Sequence, residues 1–226
     1  MRCGPAAICV LALGLATVAE AVHIPSVVLH ARPPSGVGSC TEPGLPTCEY
    51  GGRPITQIAP GESFRLYILV QNWQNVGYGN GFAGLQTAFT WPADWVVDPD
   101  GEPPVTLGCQ RNQLTVTEPS DPGGPANGIY ATVFDCIQGS GPNLVVIGRI
   151  DFLAGQAGCL FQVNPNSVRV ELLDCQYAST FIDASDPYEQ QRLGSICVGS
   201  PGWDSCDNDL HPVEARTWGS IKATYR

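Results

Sequence analysis

Within ten residues, Trp73-Gln74-Asn75-Val76-Gly77-Tyr78-Gly79-Asn80-Gly81-Phe82, the chain sets aromatic rings beside amides and spaces them with glycines. A sugar presents an apolar ring face that stacks on an aromatic and hydroxyls that exchange hydrogen bonds with amide donors and acceptors. Trp73, Gln74, Asn75, Tyr78, Asn80 and Phe82 are therefore the candidate ligand-binding residues. The same stretch also suits a hairpin connection in which Trp73 and Phe82 cap a hydrophobic core, which is the commoner use of large rings.

Catalytic signatures are sparse. Beyond the N-terminal leader the histidines are His23, His30 and His211, with no His-Glu-x-x-His helix, no Gly-x-Ser-x-Gly elbow and no phosphate loop. His30 ends an apolar run, where a hydrogen-bonded structural imidazole is expected ahead of a general base. Two facing carboxylates would suffice for a glycosidase, and the chain has enough acids for such a pair, so a secreted hydrolase stands as a third reading. The expectation is a protein that is not an enzyme.

Two acidic turns, Asp98-Pro99-Asp100-Gly101-Glu102 and Asp204-Ser205-Cys206-Asp207-Asn208-Asp209, carry the oxygen ligands calcium prefers. Neither has EF-hand spacing, and Pro and Asp also favour plain turns. No cofactor is expected, with calcium the one ion the sequence offers ligands for.

The cysteines report the compartment. Met1 to Ala21 combines Arg2, an apolar run from Ala6 to Val18 and the small-x-small site Ala19-Glu20-Ala21, which predicts a secretory leader and a mature chain beginning near Val22. Cys3 and Cys9 leave with it. Cys40, Cys48, Cys109, Cys136, Cys159, Cys175, Cys197 and Cys206 remain, an even set bound for an oxidising compartment. Eight cysteines admit about a hundred pairings. The expectation is pairing between sequence neighbours, Cys40 with Cys48, Cys109 with Cys136, Cys159 with Cys175 and Cys197 with Cys206, because the loops so closed are short. Zinc would want close Cys-x2–4-Cys pairs, which are absent.

A net charge of −10 argues against nucleic acid and anionic membrane as partners. No apolar run of about 18 residues follows the leader, so no membrane span is expected. The predicted localisation is secreted, extracellular or at the cell surface.

These residues must be positioned by strands. The 26 Gly and 20 Pro break helix interiors and supply turn geometry. Ser26 to His30 is β-branched. In Phe64 to Val70, Phe64, Leu66, Ile68 and Val70 share one face, with Arg65 and Tyr67 on the other. Gly84 to Trp91 alternates likewise, and Pro92-Ala93-Asp94 turns the chain ahead of Trp95-Val96-Val97. Further strands are predicted over 113–117, 129–134, 144–153, 159–163 and 167–173, between Gly/Pro/Asn/Asp clusters. The fold class predicted is all-β, an antiparallel β-sandwich stapled by disulfides, with irregular terminal extensions. The organisation expected is a leader over 1–21, an N-terminal strand and disulfide loop over 22–59, a sandwich core over 60–175 and an irregular segment over 176–226.

Pro60-Gly61-Glu62-Ser63-Phe64 running into an alternating strand, then Ala83-Gly84-Leu85-Gln86-Thr87-Ala88-Phe89-Thr90-Trp91-Pro92 before Trp95-Val96-Val97, resembles the opening hairpin of cohesin-type β-sandwiches. Ile147-Gly148-Arg149-Ile150-Asp151-Phe152-Leu153-Ala154-Gly155 with Gly158, leading to Val168-Arg169-Val170-Glu171-Leu172-Leu173, is similar to their closing strands. The resemblance covers roughly residues 60–174. It implies a jelly-roll sandwich serving as a protein-binding or carbohydrate-associated module of a secreted bacterial system. The eight cysteines and long terminal segments depart from the pattern, and no partner-binding residue is transferred.

The leading expectation is thus a secreted, non-catalytic binding or adhesion module for an extracellular polysaccharide or a protein partner. The alternative is a structural surface or assembly subunit. For that role the chain end offers Trp218, Ile221 and Tyr225 at i, i+3 and i+7 within Thr217 to Arg226. This pattern suits a short helix docked by its aromatic face, or a tail through which copies self-associate.

Overall fold

The computed structural model describes residues 24–34, 45–48, 52–77, 81–97, 112–117, 127–138, 144–163 and 169–207. Twelve strands lie among them: β1 (Ser26–Arg32), β2 (Gln57–Ile58), β3 (Ser63–Gln71), β4 (Phe82–Thr90), β5 (Val96–Val97), β6 (Asn112–Thr117), β7 (Asn127–Ile137), β8 (Leu144–Leu153), β9 (Cys159–Val163), β10 (Val170–Leu173), β11 (Ser179–Ile182) and β12 (Ser195–Val198). The smaller sheet has the order β1-β3-β8-β5, and the larger runs β11-β10-β4-β9-β12-β2 with β7 and β6 attached through β4. All pairs are antiparallel except β12 with β2. The all-β, disulfide-stapled sandwich read from the sequence is the observed fold.

Strand β4 organises the larger sheet. Strand β7 follows one flank from Phe82 to Phe89, while the other flank is divided between β10, opposite Gly84–Gln86, and β9, opposite Ala88–Thr90. Between the sheets, Phe64, Leu66, Ile68 and Val70 of β3 meet Leu85 and Phe89 of β4 and Val145, Ile147, Ile150 and Phe152 of β8 in one buried cluster. The inward residues of β8 switch from odd to even numbers because the register steps from Ile68↔Gly148 to Leu69↔Val146, a bulge that inserts Ile147 and restores the apolar side to the core. Trp91 and Trp95 close one end, edge-on to Phe152, and Trp95 Nε1 donates to the Ala157 carbonyl at 3.2 Å.

The second face of β3, opposite the main core, is buried as well. Tyr67 and Leu69 point away from the main core, yet they join Val28, Leu144 and Cys206 in a second apolar cluster against which Leu45, Cys48 and Val146 pack. Alternation along one strand tells two faces apart but does not tell what a distant segment lays over the second face. The cover comes from Leu45 and Cys48 on one segment and Cys206 on another, joined by the bridge Cys48–Cys206 across a sequence separation of 158.

That bridge corrects the expected pairing, as do the other two. Cys159 pairs with Cys197, directly opposite one another on adjacent strands β9 and β12, and Cys136 pairs with Cys175. Nearest-neighbour bridging of Cys159 with Cys175 and Cys197 with Cys206 fails because sheet order, not chain order, sets which cysteines meet. Cys48 and Cys136 likewise bridge partners other than those expected, and Cys40 and Cys109 lie outside the described residues.

The segment from 176 onward, read as irregular, contributes β11, β12 and 3-10 turns at Gln190–Arg192 and Ser205–Asp207. Strands β2, β11 and β12 span two to four residues each. That is too short for a period-two signal to emerge from the surrounding Gly, Pro and Asp.

Candidate functional site

The ten-residue aromatic and amide stretch is the β3–β4 connection. Trp73 opens a 3-10 turn, Trp73–Asn75, with only 1% of its surface exposed, and Phe82 starts β4 with none exposed. Both belong to the main core, so neither ring presents a face to solvent. Gln74 is half-buried, the backbone of Asn75 lies in the turn, and Tyr78 and Asn80 lie outside the described residues. The alternative reading of the stretch, a connection whose rings cap the core, matches Trp73 and Phe82.

Two backbone features explain why this connection is glycine-rich. Gly77 (φ +57°) donates its N–H to Thr180 Oγ1 at 2.7 Å, and a side chain there would strike the Asp174 carboxylate. Gly81 (φ +97°) passes under the Cys136–Cys175 bridge, where a Cβ would overlap the Ile137 carbonyl oxygen and sit 2.9 Å from Cys175 Sγ. The glycines let the chain pass close beneath other groups.

Exposed rings and amides converge elsewhere, on the segment from Pro187 to Trp203. A cavity of about 310 Å³ is lined by Pro187, Gln190, Gln191, Leu193, Ser195 and Trp203. Leu193 is the buried floor, Pro187, Gln190 and Gln191 are exposed, and Trp203 keeps 48% of its surface in solvent. Tyr188, next in the chain to the lining residue Pro187, is 83% exposed.

The local sequence builds this wall without regular helix. Asp186 Oδ1 accepts from the Tyr188 N–H at 2.8 Å, an Asx turn, and the Asp186 carbonyl accepts from the Gln190 N–H at 2.8 Å. Glu189 and Gln190 carbonyls then take the N–H groups of Arg192 and Leu193. Arg192 bolts the turn to the sandwich. Its Nε and Nη2 donate to the Pro25 carbonyl at 3.0 and 2.8 Å, and its Nη1 donates to the Phe181 carbonyl at 3.4 Å. Burial holds this guanidinium below its ordinary pKa.

Trp203 is fixed just as firmly. Its N–H donates to Ser195 Oγ at 2.7 Å, its carbonyl accepts from the Ser195 N–H at 3.0 Å, and its indole Nε1 donates to the Gln191 carbonyl at 2.9 Å. On one side Gly202 donates to the Thr56 carbonyl, and on the other Asp204 pairs with Arg53 at 2.7 Å ahead of the Cys48–Cys206 bridge. The indole is polar-satisfied at its edge and open on its face.

Other sequence candidates play structural parts. His30 is buried on β1, and its Nδ1 accepts from the Ile55 N–H at 2.8 Å, which leaves the ring proton on Nε2. Burial, with the nearby Arg32 charge, lowers its pKa to about 4. Arg65 forks onto Asp151 through Nε and Nη2 at 2.7 and 3.0 Å, and that hydrogen bonding raises its pKa. In the acidic turn at 204, Asp204 is engaged by Arg53 and by the Cys206 N–H. Among the described residues no group of three His, Cys, Asp or Glu side chains gathers to hold a metal, and no helix is long and apolar enough to cross a membrane. Residues 98–102 and the tail from Thr217 lie outside the described residues, as do His23 and His211.

No protein-family model matches the chain, and no curated protein matches it in sequence. Comparison of the structure does find similar folds. The fold is similar to that of cohesin modules. A cohesin module from a family 33 glycoside hydrolase of Clostridium perfringens superposes with a TM-score of 0.43 and 7% identity over 76% of this chain and 96% of that one. A type II cohesin domain from the cellulosome of Acetivibrio cellulolyticus gives 0.40 and 10% over 56% and 82%, and a type II cohesin of Bacteroides cellulosolvens gives 0.38 and 10% over 58% and 88%. No residue role is taken from them. The Trp203 wall was missed in the sequence because its rings and amides, Tyr188, Gln190, Gln191 and Trp203, are spread over sixteen positions. Pro201-Gly202-Trp203 was the one local signal, a large ring set on a turn.

Proposed function

We propose that this protein is a secreted, non-catalytic binding or adhesion module whose ligand is an extracellular polysaccharide. The observation that carries this reading is the make-up of the cavity wall: proline, leucine, serine, two glutamines and a tryptophan, groups that stack and hydrogen-bond but do not titrate near neutral pH. A wall of that kind retains a hydroxylated ligand and supplies no acid, base or nucleophile activated by one. The three disulfides among the described residues support an oxidising destination outside the cell.

The test is co-sedimentation of the oxidised mature protein with insoluble neutral polysaccharides, with the supernatant assayed for new reducing ends. Retention without reducing ends is the expected result. Retention with their release would make the protein a hydrolase, and failure of the folded protein to bind any polymer would move its ligand to another class.

A further inference from the structure

We infer that the cavity at Trp203 is a subsite for one neutral pyranose ring of a polysaccharide, with Trp203 as the stacking platform and Gln190 as the principal hydroxyl reader. The inference rests on the polysaccharide reading above and deepens it by naming the site and the charge class of sugar.

Three observations point the same way. The first is size: about 310 Å³ stands at the small end of the roughly 300–1,000 Å³ range of ligand sites, which suits a single ring and not a folded peptide element. The second is preorganisation. Trp203 is anchored by its backbone N–H, its carbonyl and its indole N–H, so docking a ring on its exposed face costs little side-chain entropy. Ser195 Oγ already accepts from Trp203, which leaves its hydroxyl proton to donate into the cavity, and the exposed amide of Gln190 supplies both donor and acceptor.

The third is charge. No lining side chain is ionised. Asp186 and Glu189 adjoin the wall in sequence, while the nearest basic group in the chain, Arg192, spends its donors on the Pro25 and Phe181 carbonyls. No lining side chain pairs with a carboxylate or sulfate on the ligand, and the neighbouring acids repel one. Tyr188, 83% exposed on the same turn, offers a ring for the next sugar along the polymer.

The experiment titrates the oxidised full-length mature protein with soluble hexaoses of glucose, xylose and mannose, and with an oligogalacturonate as the acidic probe. Calorimetry and thermal denaturation are run in parallel. The wild type is expected to bind at least one neutral hexaose and to bind oligogalacturonate at least about tenfold more weakly. Trp203→Ala is expected to weaken neutral binding about tenfold or more, and Gln190→Ala severalfold. Val96→Ala, exposed on β5 at the edge of the smaller sheet opposite β1, serves as the unchanged control.

Because Trp203→Ala also loses the bond to the Gln191 carbonyl, Gln190→Ala and Tyr188→Ala provide variants whose exposed side chains leave the melting temperature in place. Polysaccharide binding that survives Trp203→Ala and Gln190→Ala would overturn the site while leaving the proposed function standing. Preference for oligogalacturonate would overturn the charge class. Absence of binding to every polymer, neutral or acidic, by a correctly folded wild type would overturn both proposals.

Discussion

At the scale of single residues, burial and partners decide what each polar group does. His30 is buried neutral, with its pKa lowered to about 4 against an ordinary 6.5. The unfolded chain therefore binds the extra proton between those values, so this contribution is intact above pH 6.5 and is lost as pH falls toward 4. The shift amounts to about 3 kcal/mol. His30→Asn keeps an acceptor for the Ile55 N–H and removes the titration, so urea midpoints at pH 7.5 and 4.5 should differ less in the variant than in the wild type. Asp151→Asn leaves the Arg65 fork with a half-satisfied, uncharged partner and should cost about 2 kcal/mol by the same measurement.

At the scale of elements, two tryptophans with similar sequence credentials part company. Trp73 stands beside amides and glycines, and Trp203 follows Pro201 and Gly202. Trp73 is packed under the sheets, so Trp73→Ala should lose about 3–5 kcal/mol in denaturant unfolding. Trp203, half in solvent, should lose far less in stability and more in ligand affinity. Gly81 is the other test of the β3–β4 connection. Gly81→Ala sets a methyl against the Ile137 carbonyl at φ +97°, and a fall in melting temperature is expected even though the change adds one carbon. The strands were legible wherever four or more alternating positions stood between turn residues, as in β3, β4, β8 and β9. The short strands β2, β11 and β12 were not, because they are two to four residues set among Gly, Pro and Asp and, for β2 and β12, the partner strands lie far along the chain.

At the scale of the whole molecule, the Cys48–Cys206 bridge ties the segment at 45–48 to the segment at 204–206 over the outer face of β3. Closing so long a loop restricts the unfolded chain, so the double variant Cys48→Ser/Cys206→Ser should lose about 2–5 kcal/mol. The same bridge lies three residues beyond Trp203, so the reduced protein should also hold the ligand platform less rigidly. Weaker oligosaccharide binding after reduction of this bridge alone, measured beside the melting temperature, checks the connection. Sequence by itself determined the β class, most strand positions and the main core, because alternation and turn chemistry are local and survive without knowledge of partners. It also determined that the cysteines matter, from their even number behind an apolar N-terminal run. Only tertiary structure decided which of the described cysteines meet, that the second face of β3 is covered, that Trp73 is buried, and that an exposed ring and amides gather at Trp203. Those outcomes depend on which strands become neighbours across the sheet, and they are fixed by contacts between segments as far as 179 residues apart.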